Sequence, residues 1–596
     1  MIDNNNDTVV SFQPFRFGMG SFLFTPSSGK SYKALVSIEG AASITVDLPV
    51  VAPTGYVMRT EDDNDGTYKV TLTTNHLDRL HGAEIILLAH TRQQSKYTER
   101  KKTTNGTVTF SIKKDLLADG VSQLTLFNRE LQPVGERLVF RAPKQEAMFS
   151  ASPDAGSYKT RDAVNVNVTT ALKGKPVPAN LSLAVYQLDP LSMAPSMDIK
   201  TYVYLNSDIR GAIESPEFYF TNDPDAKVAA DNLMMTQGWR RFTWNQPTRK
   251  TPLPYDYAPE FDGHIVGATV TYTSRQVPAE GLKTYLSVPG NKTQFYASMT
   301  DENGKAYFDI RDYYGRNEIV VQADPLADTN YRIDIADPFS ERYSVKPFRQ
   351  FSVDESSRAI IRNHSVSMQA LNAYTGDSLT RFDIPRLDSS PFYGRFTKRY
   401  LLDDYVRFTT MEEVLREYVP EVGLKRTAGQ PRLRIADWNQ LKYLEGEPLI
   451  LFDGVPVTHK QILAYDPLKV RKLEVVTNRY ITGKFVFDGI ASFNSYAGDM
   501  PDFVFDPRTV LADYEGLQLE REFYAPAYDT EAQKANRIGD FRDLLIWQPE
   551  IRTDASGKAN TRFYTSDKKG KFIGVLQGID ANGNAASHVF SFEVTK

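Results

Sequence analysis

Seven histidines, at positions 76, 81, 90, 264, 364, 459 and 588, are the side chains best suited to hold a metal or move a proton near neutral pH. They form neither an HExxH nor an HxH pattern. The nearest pair, His76 and His81, stands five residues apart, which suits neither one helix face nor one strand face. A metal needs convergent ligands, so these read as structural histidines. Cysteine is absent, which removes disulfides, thiol nucleophiles and Cys-ligated zinc. No GxSxG elbow presents a serine. Gly18-Met19-Gly20 lacks the third Gly and the Lys of a phosphate loop, so a bulge or close packing is expected there. Glu412-Glu413, Asp403-Asp404 and Asp301-Glu302 supply paired acids. Glycoside hydrolysis needs carboxyls about 5–9.5 Å apart across a substrate, whereas chain neighbours point apart. In E-D-D-N-D-G (61–66), Gly66 fits the sixth position of a calcium loop, but Leu72 falls where the bidentate Glu belongs. A hairpin turn is expected instead. No catalytic residue, cofactor or metal site is expected.

Recognition is the chemistry left. Tyr202, Tyr204 and Phe218-Tyr219-Phe220 stand near Trp239, Phe242 and Trp244, with Arg240 and Arg241 alongside. Such a cluster either fills a β core or stacks on a sugar or a protein partner. Phe218, Tyr219, Trp239, Arg240, Arg241 and Trp244 are the candidate recognition surface.

The elements around these residues are mostly strands. At 596 residues the chain exceeds one core, and domains of about 100–150 residues are expected. With 41% hydrophobic and 24% charged residues it is globular, and 32 Tyr and 34 Phe favour strands. A net charge of −4 and pI near 6.1 leave no basic field for nucleic acid. No run reaches the roughly 18 apolar residues of a membrane helix. M-I-D-N-N-N-D has neither the basic nor the apolar region of a signal peptide, and Met1 reads as a start within a longer exported precursor. Short strands recur at the spacing of β-sandwiches. A hairpin corner recurs too: Asp65-Gly66, Asn105-Gly106, the D-E-N-G of 301–304 and the D-A-S-G of 554–557 each precede an alternating strand.

Longer patterns carry resemblances. F-R-F-G-M-G-S-F-L-F-T-P (15–26), G-V-S-Q-L-T-L-F-N (120–128) and P-V-G-E-R-L-V-F (133–140) resemble macroglobulin domains of the alpha-2-macroglobulin superfamily, in the version common in Bacteroidota envelope proteins. So do L-N-S-D-I-R-G-A-I-E-S-P-E-F-Y-F (205–220) and L-M-M-T-Q-G-W-R-R-F-T-W (233–244). G-H-I-V-G-A-T-V-T-Y (263–272) is similar to the start of a carboxypeptidase-regulatory-like sandwich. P-L-I-L-F-D-G-V-P-V, D-P-L-K-V-R-K-L-E-V-V and F-D-G-I-A-S-F-N-S-Y, within 448–496, resemble the plug of TonB-dependent receptors. A 22-strand barrel would need roughly 220 residues, and only those after 498 follow. F-R-D-L-L-I-W-Q-P-E-I-R-T-D (541–554) resembles the start of another macroglobulin domain.

The expected fold class is mostly β: serial macroglobulin or Ig-like sandwiches and one small α+β plug-like domain. The end of one macroglobulin-like domain is expected at 1–50, whole ones at 51–143 and 144–250, and a regulatory-like sandwich at 258–345. A connector at 346–395 has a short helix near Ser356–Ala373, the plug-like domain spans 396–500, and a C-terminal sandwich spans 501–596. Met411, Val414, Leu415 and Tyr418 lie at helical spacing ahead of Pro420, and Asp453-Gly454 turns a hairpin.

The resemblances imply an exported, non-enzymatic binding or scaffold protein at the periplasm or cell surface, associated with the outer membrane. Its partners would be envelope proteins, and it would use no cofactor. One alternative is a protease-binding macroglobulin without the Cys–Gln thioester, its bait at 377–395. Another is an accessory to TonB-linked transport, although no TonB box is evident.

Overall fold

The computed structural model describes residues 1–595 except 39, 41, 64, 144–146, 196, 239–243, 245–258, 291–292, 325–329, 344–351, 384, 386–389, 428 and 438–441. Strands dominate. Two compact units form: one from Met1–Leu253, Phe351–Arg381 and Phe523–Lys596, the other from Pro254–Gln350 and Phe382–Glu522.

Alternation builds the first sandwich of the first unit. In Thr67–Thr74, Val70, Leu72 and Thr74 are buried while Lys69 and Thr73 face outward; in Thr107–Lys113, Val108, Phe110 and Ile112 are buried. These strands pair with each other and, with Tyr56–Asp62, make one sheet. The second sheet runs Pro133–Arg141, Gly120–Phe127, Glu84–Thr91, Gln94–Lys102. Leu72, Leu87, Phe110, Leu124 and Leu126 fill the space between them. The third and fourth strands are joined by Arg92-Gln93, both at positive φ, as a two-residue hairpin requires.

Three of the four glycine corners share one geometry, while Gly66 (φ +82°) has open space around it. Gly106 has φ +72°, its carbonyl accepts the Thr74 N–H at 2.8 Å, and a Cβ there would stand 2.6 Å from the Thr74 oxygen. Gly304 bears the same relation to Val270 (2.8 and 2.4 Å), and Gly557 to Thr170 (2.8 and 2.3 Å). No side chain fits, so glycine is fixed at these three corners.

The third corner corrects the expectation of separate sandwiches at 144–250 and 501–596. Ala147–Pro153, Ala163–Leu172 and Lys558–Tyr564 form one sheet. Ala585–Val594, Gly570–Asp580, Ala179–Gln187 and Leu544–Arg552 form the other. Strand for strand this is the order of the first sandwich, and Val166, Leu183, Leu545, Phe572 and Leu576 share one core. The turn between its third and fourth strands is opened, and the chain from 188 to 543 is carried there. Neither half has enough strands to cover two apolar sheets, so each needs the other.

Inside that insertion, Ala226–Thr236 (α1) and Pro216–Phe220 are helical, where strands of the 144–250 sandwich were expected. The expected short helix near Ser356–Ala373 is longer, Arg358–Leu379 (α2), with a kink at Thr375 (φ −132°). In the second unit, Tyr331–Ile335, His264–Tyr272 and Lys305–Ile310 face Gln294–Met299, Lys283–Val288, Arg316–Ala323 and Val510–Glu515. The last of these strands lies in the stretch read as part of the C-terminal sandwich. The α+β region has a five-stranded mixed sheet ordered Lys398–Leu401, Val470–Val476, Ile490–Ser495, Leu449–Phe452, Val455–Pro456. Its helix Met411–Tyr418 buries Met411, Val414 and Leu415, the Thr410 side chain caps it, and Asp453-Gly454 turns the hairpin. Among the described residues no helix is long and apolar enough to cross a membrane, which says nothing of strand-built barrels.

Candidate functional site

The aromatic cluster divides. Trp239, Arg240 and Arg241 lie outside the described residues. Tyr219 is 3% exposed and packs with Val121, Leu138 and Leu233 under a helical cap on the second sheet of the first sandwich. Phe218 lies half-buried against Phe17, ring centroids 5.4 Å apart, with the Arg16 guanidinium over its ring. Trp244 donates from Nε1 to Thr125 Oγ1 at 3.2 Å and packs edge-on against Phe127 and His90. It covers a polar row in which Gln123 bonds His90 and Glu136. Burial lowers the pKa of His90 and raises that of Glu136, so the covered row favours their neutral forms. Among the described members of the cluster, packing takes most of the surface. Strand Gly120–Phe127 shows why: it is buried along both faces, one by the sandwich and one by the cap.

Beside the cap lies a cleft of about 630 Å³, walled by Tyr68, Phe140 and Tyr219 and edged by Asp62, Lys227 and Asp231. Its charges are answered. Asp62 bonds Lys114 and pairs with Lys227 at 2.7 Å, and Asp231 pairs with Arg137 at 2.7 Å. Burial pushes the Tyr68 phenol up to about 12, so it is a proton donor rather than a base at neutral pH.

Several of the other candidate groups have structural partners. Thr410 and Glu413 bond each other at the helix start, Glu412 pairs with Arg426, Asp403 with Arg407, and Asp301 accepts two turn N–H groups. Asp63 accepts the N–H groups of Asp65 and Thr67, an ordinary Asx turn. Gly18 (φ +69°) sits in a tight turn where the Phe15 N–H bonds the Met19 oxygen. His459 Nδ1 and His588 Nδ1 accept backbone N–H groups. The proposed bait stretch begins within α2, and 384 and 386–389 lie outside the described residues.

A surface that sequence reasoning missed lies near the start of the chain. Tyr32–Val36 (β1) and Ile44–Asp47 (β2) pair in antiparallel register, Val36 opposite Ile44 and Ala34 opposite Val46. Period-2 geometry puts Tyr32, Ala34, Val36, Ile44 and Val46 on one face. Phe24 covers the Tyr32 end, ring centroids 4.9 Å apart. Beyond it the face is open: Val36 is 43%, Ile44 53% and Val46 49% exposed. The reverse face carries the Lys33–Asp47 ion pair, as a solvated face does. β2 is also the edge of its sheet, so it offers backbone groups as well as an apolar row. Nothing in the sequence marks it: A-L-V (34–36) is apolar throughout, Leu35 falling on the reverse face, and no residue type associated with binding stands there.

The chain matches no protein-family model and no curated protein. Among solved structures it is similar to a tetra-tandem repeat in the extending region of a large adhesion protein, at 10% identity and TM-score 0.16, covering 52% of this chain and 82% of that one. It is also similar to trypsin-activated alpha-2-macroglobulin from Escherichia coli, at 11% identity and TM-score 0.13, covering 96% of this chain and 44% of that one. The same E. coli protein activated by porcine elastase is similar at 10% identity and TM-score 0.12, covering 91% and 44%. The chain thus spans under half the length of the macroglobulin structures, and superpositions this loose assign no family.

Proposed function

We propose that this chain is a non-enzymatic binding and scaffold protein, exported to the cell envelope and associated there with an outer-membrane protein partner. The open apolar row Val36–Ile44–Val46, whose last two members stand on an edge strand, carries the reading. An extended segment of a partner would add to β2 through backbone hydrogen bonds and place alternate side chains on the row, the usual mode of strand addition. The sandwiches then act as a frame, and the opened turn of the split one carries a second unit without breaking its core.

Capture of interacting proteins from the organism's envelope extract tests this, comparing the native chain with the double variant Ile44→Asp/Val46→Asp. These side chains are exposed, so folding should survive. Placing two unpaired carboxylates in a covered apolar interface should lower retention of a specific partner by about 100-fold or more. Equal retention by both proteins would refute the assignment of this face.

A further inference from the structure

Helix α2 is held loosely. None of its 22 residues is buried, and a cavity of about 510 Å³ opens beside it, bordered by Gln187, Ile360, Val366, Phe541 and Lys569. Among the described residues, His364 makes the side-chain hydrogen bonds that fasten the helix to the split sandwich. Its Nδ1 lies 2.7 Å from Asp543 Oδ2 and its Nε2 2.7 Å from Asp189 Oδ2. An ionised carboxylate can only accept, so a ring placed between two of them fits an imidazolium, which donates from both nitrogens.

The placement of the two acids gives the clasp its meaning. Asp189 stands just after strand Ala179–Gln187, and Asp543 just before strand Leu544–Arg552. They are the two lips of the turn that opens for the insertion, and the Gln187 N–H bonds the Asp543 oxygen between them at 2.8 Å. His364, from within the insertion, bridges both lips. We propose that α2 is a strap latched across the opened turn by protonated His364 and released when that proton leaves.

The surrounding charges are consistent with a latch centred on this proton. Lys568, from the loop before strand Gly570–Asp580, bonds the other oxygen of Asp543. Asp189 also accepts the N–H groups of Leu191 and Ser192, at 2.8 and 2.9 Å, which fix its carboxylate toward the ring. Arg362 on the helix itself and Lys569 border the adjoining cavity. Burial disfavours the charged ring, but the bonds to Asp543 and Asp189 outweigh it and hold the His364 pKa above its ordinary 6.5. A raised histidine pKa stabilises the latched form fully below pH 6.5, and that stabilisation is lost as pH rises through the raised value. The released helix would leave the split sandwich intact, because no α2 residue belongs to its core.

Hydrogen exchange of segment 358–379, corrected for the intrinsic effect of pH, tests this on the full chain between pH 6 and pH 9. Native protection should fall about tenfold or more across that range, the scale of a lost charge-assisted bond. Protection of strands Ala163–Leu172 and Gly570–Asp580 should not change. His364→Gln should show weak, pH-independent protection of the helix, and Asp189→Asn should move the release to lower pH. Constant native protection across the range, pH dependence that survives in His364→Gln, or loss that spreads into the sandwich strands would each overturn the proposal.

Discussion

A chain ending at residue 522 will fail to fold its strands Ala147–Pro153, Ala163–Leu172 and Ala179–Gln187. The cut removes four of the seven main strands of the split sandwich, Leu544–Arg552, Lys558–Tyr564, Gly570–Asp580 and Ala585–Val594. Phe149, Val166, Leu181 and Leu183 would lose the side chains opposite them, among them Phe563, Phe572, Leu576 and Phe592. Domains are stable by only about 5–15 kcal/mol, and losing half a core exceeds that margin. Limited proteolysis should therefore open 147–187 rapidly while the first sandwich, 56–141, stays resistant. Adding 523–596 as a separate polypeptide should restore protection. A truncated chain whose 147–187 strands resist protease as the native chain does would contradict the shared core.

Arg161→Ala should destabilise the same sandwich by about 3–5 kcal/mol, the range for removing one partner of a buried charge network. Arg161 is buried, with φ +60°, in the turn before strand Ala163–Leu172. Its guanidinium bonds both oxygens of Asp567, at 2.8 and 2.6 Å, and the carbonyls of Lys534, Asn536 and Ile538 at 2.7–2.8 Å. One planar group with five donors thus ties the segment 534–538 and the turn at Asp567 to a turn 373–406 residues earlier. Lysine carries the charge but lacks the fork, so Arg161→Lys should recover little of the loss. Urea denaturation followed by hydrogen exchange in Ala163–Leu172 measures this. A loss below about 1 kcal/mol would mean that the network is ornamental.

What could be read from sequence was what neighbours decide. The Asx-Gly corners follow from the positive φ that tight turns demand, and Gly106, Gly304 and Gly557 all stand where a Cβ would strike a carbonyl. Helix Met411–Tyr418 was legible because its apolar spacing and its end near Pro420 are local. The pairing of Ala163–Leu172 with Lys558–Tyr564 was not, because register across such a separation leaves no periodic trace. One clue existed: a corner at 554–557 needs a preceding second strand, and the residues from 501 to 553 supply no strand that pairs there. The stretch 199–236 was misread because its aromatics favour strands, whereas Pro216 opens a short helix behind Ser215 at φ +46°. His364 could not be singled out, since its partners lie 175 and 179 residues away. The open row on β1 and β2 was equally silent, because exposure depends on what does not cover a strand.

The split sandwich carries the strap, and one cross-link tests it. Asn167 and Asn560 are register partners in adjacent antiparallel strands, and both side chains face outward. Opposed residues of such a pair lie about 4.5–5.5 Å apart at Cα, within disulfide reach. The chain has no cysteine, so Asn167→Cys/Asn560→Cys creates a single possible pair. A near-quantitative intramolecular disulfide is expected under mild oxidation, with faster migration on a non-reducing gel. Thiols that stay free in the folded protein, or that link only between chains, would contradict it.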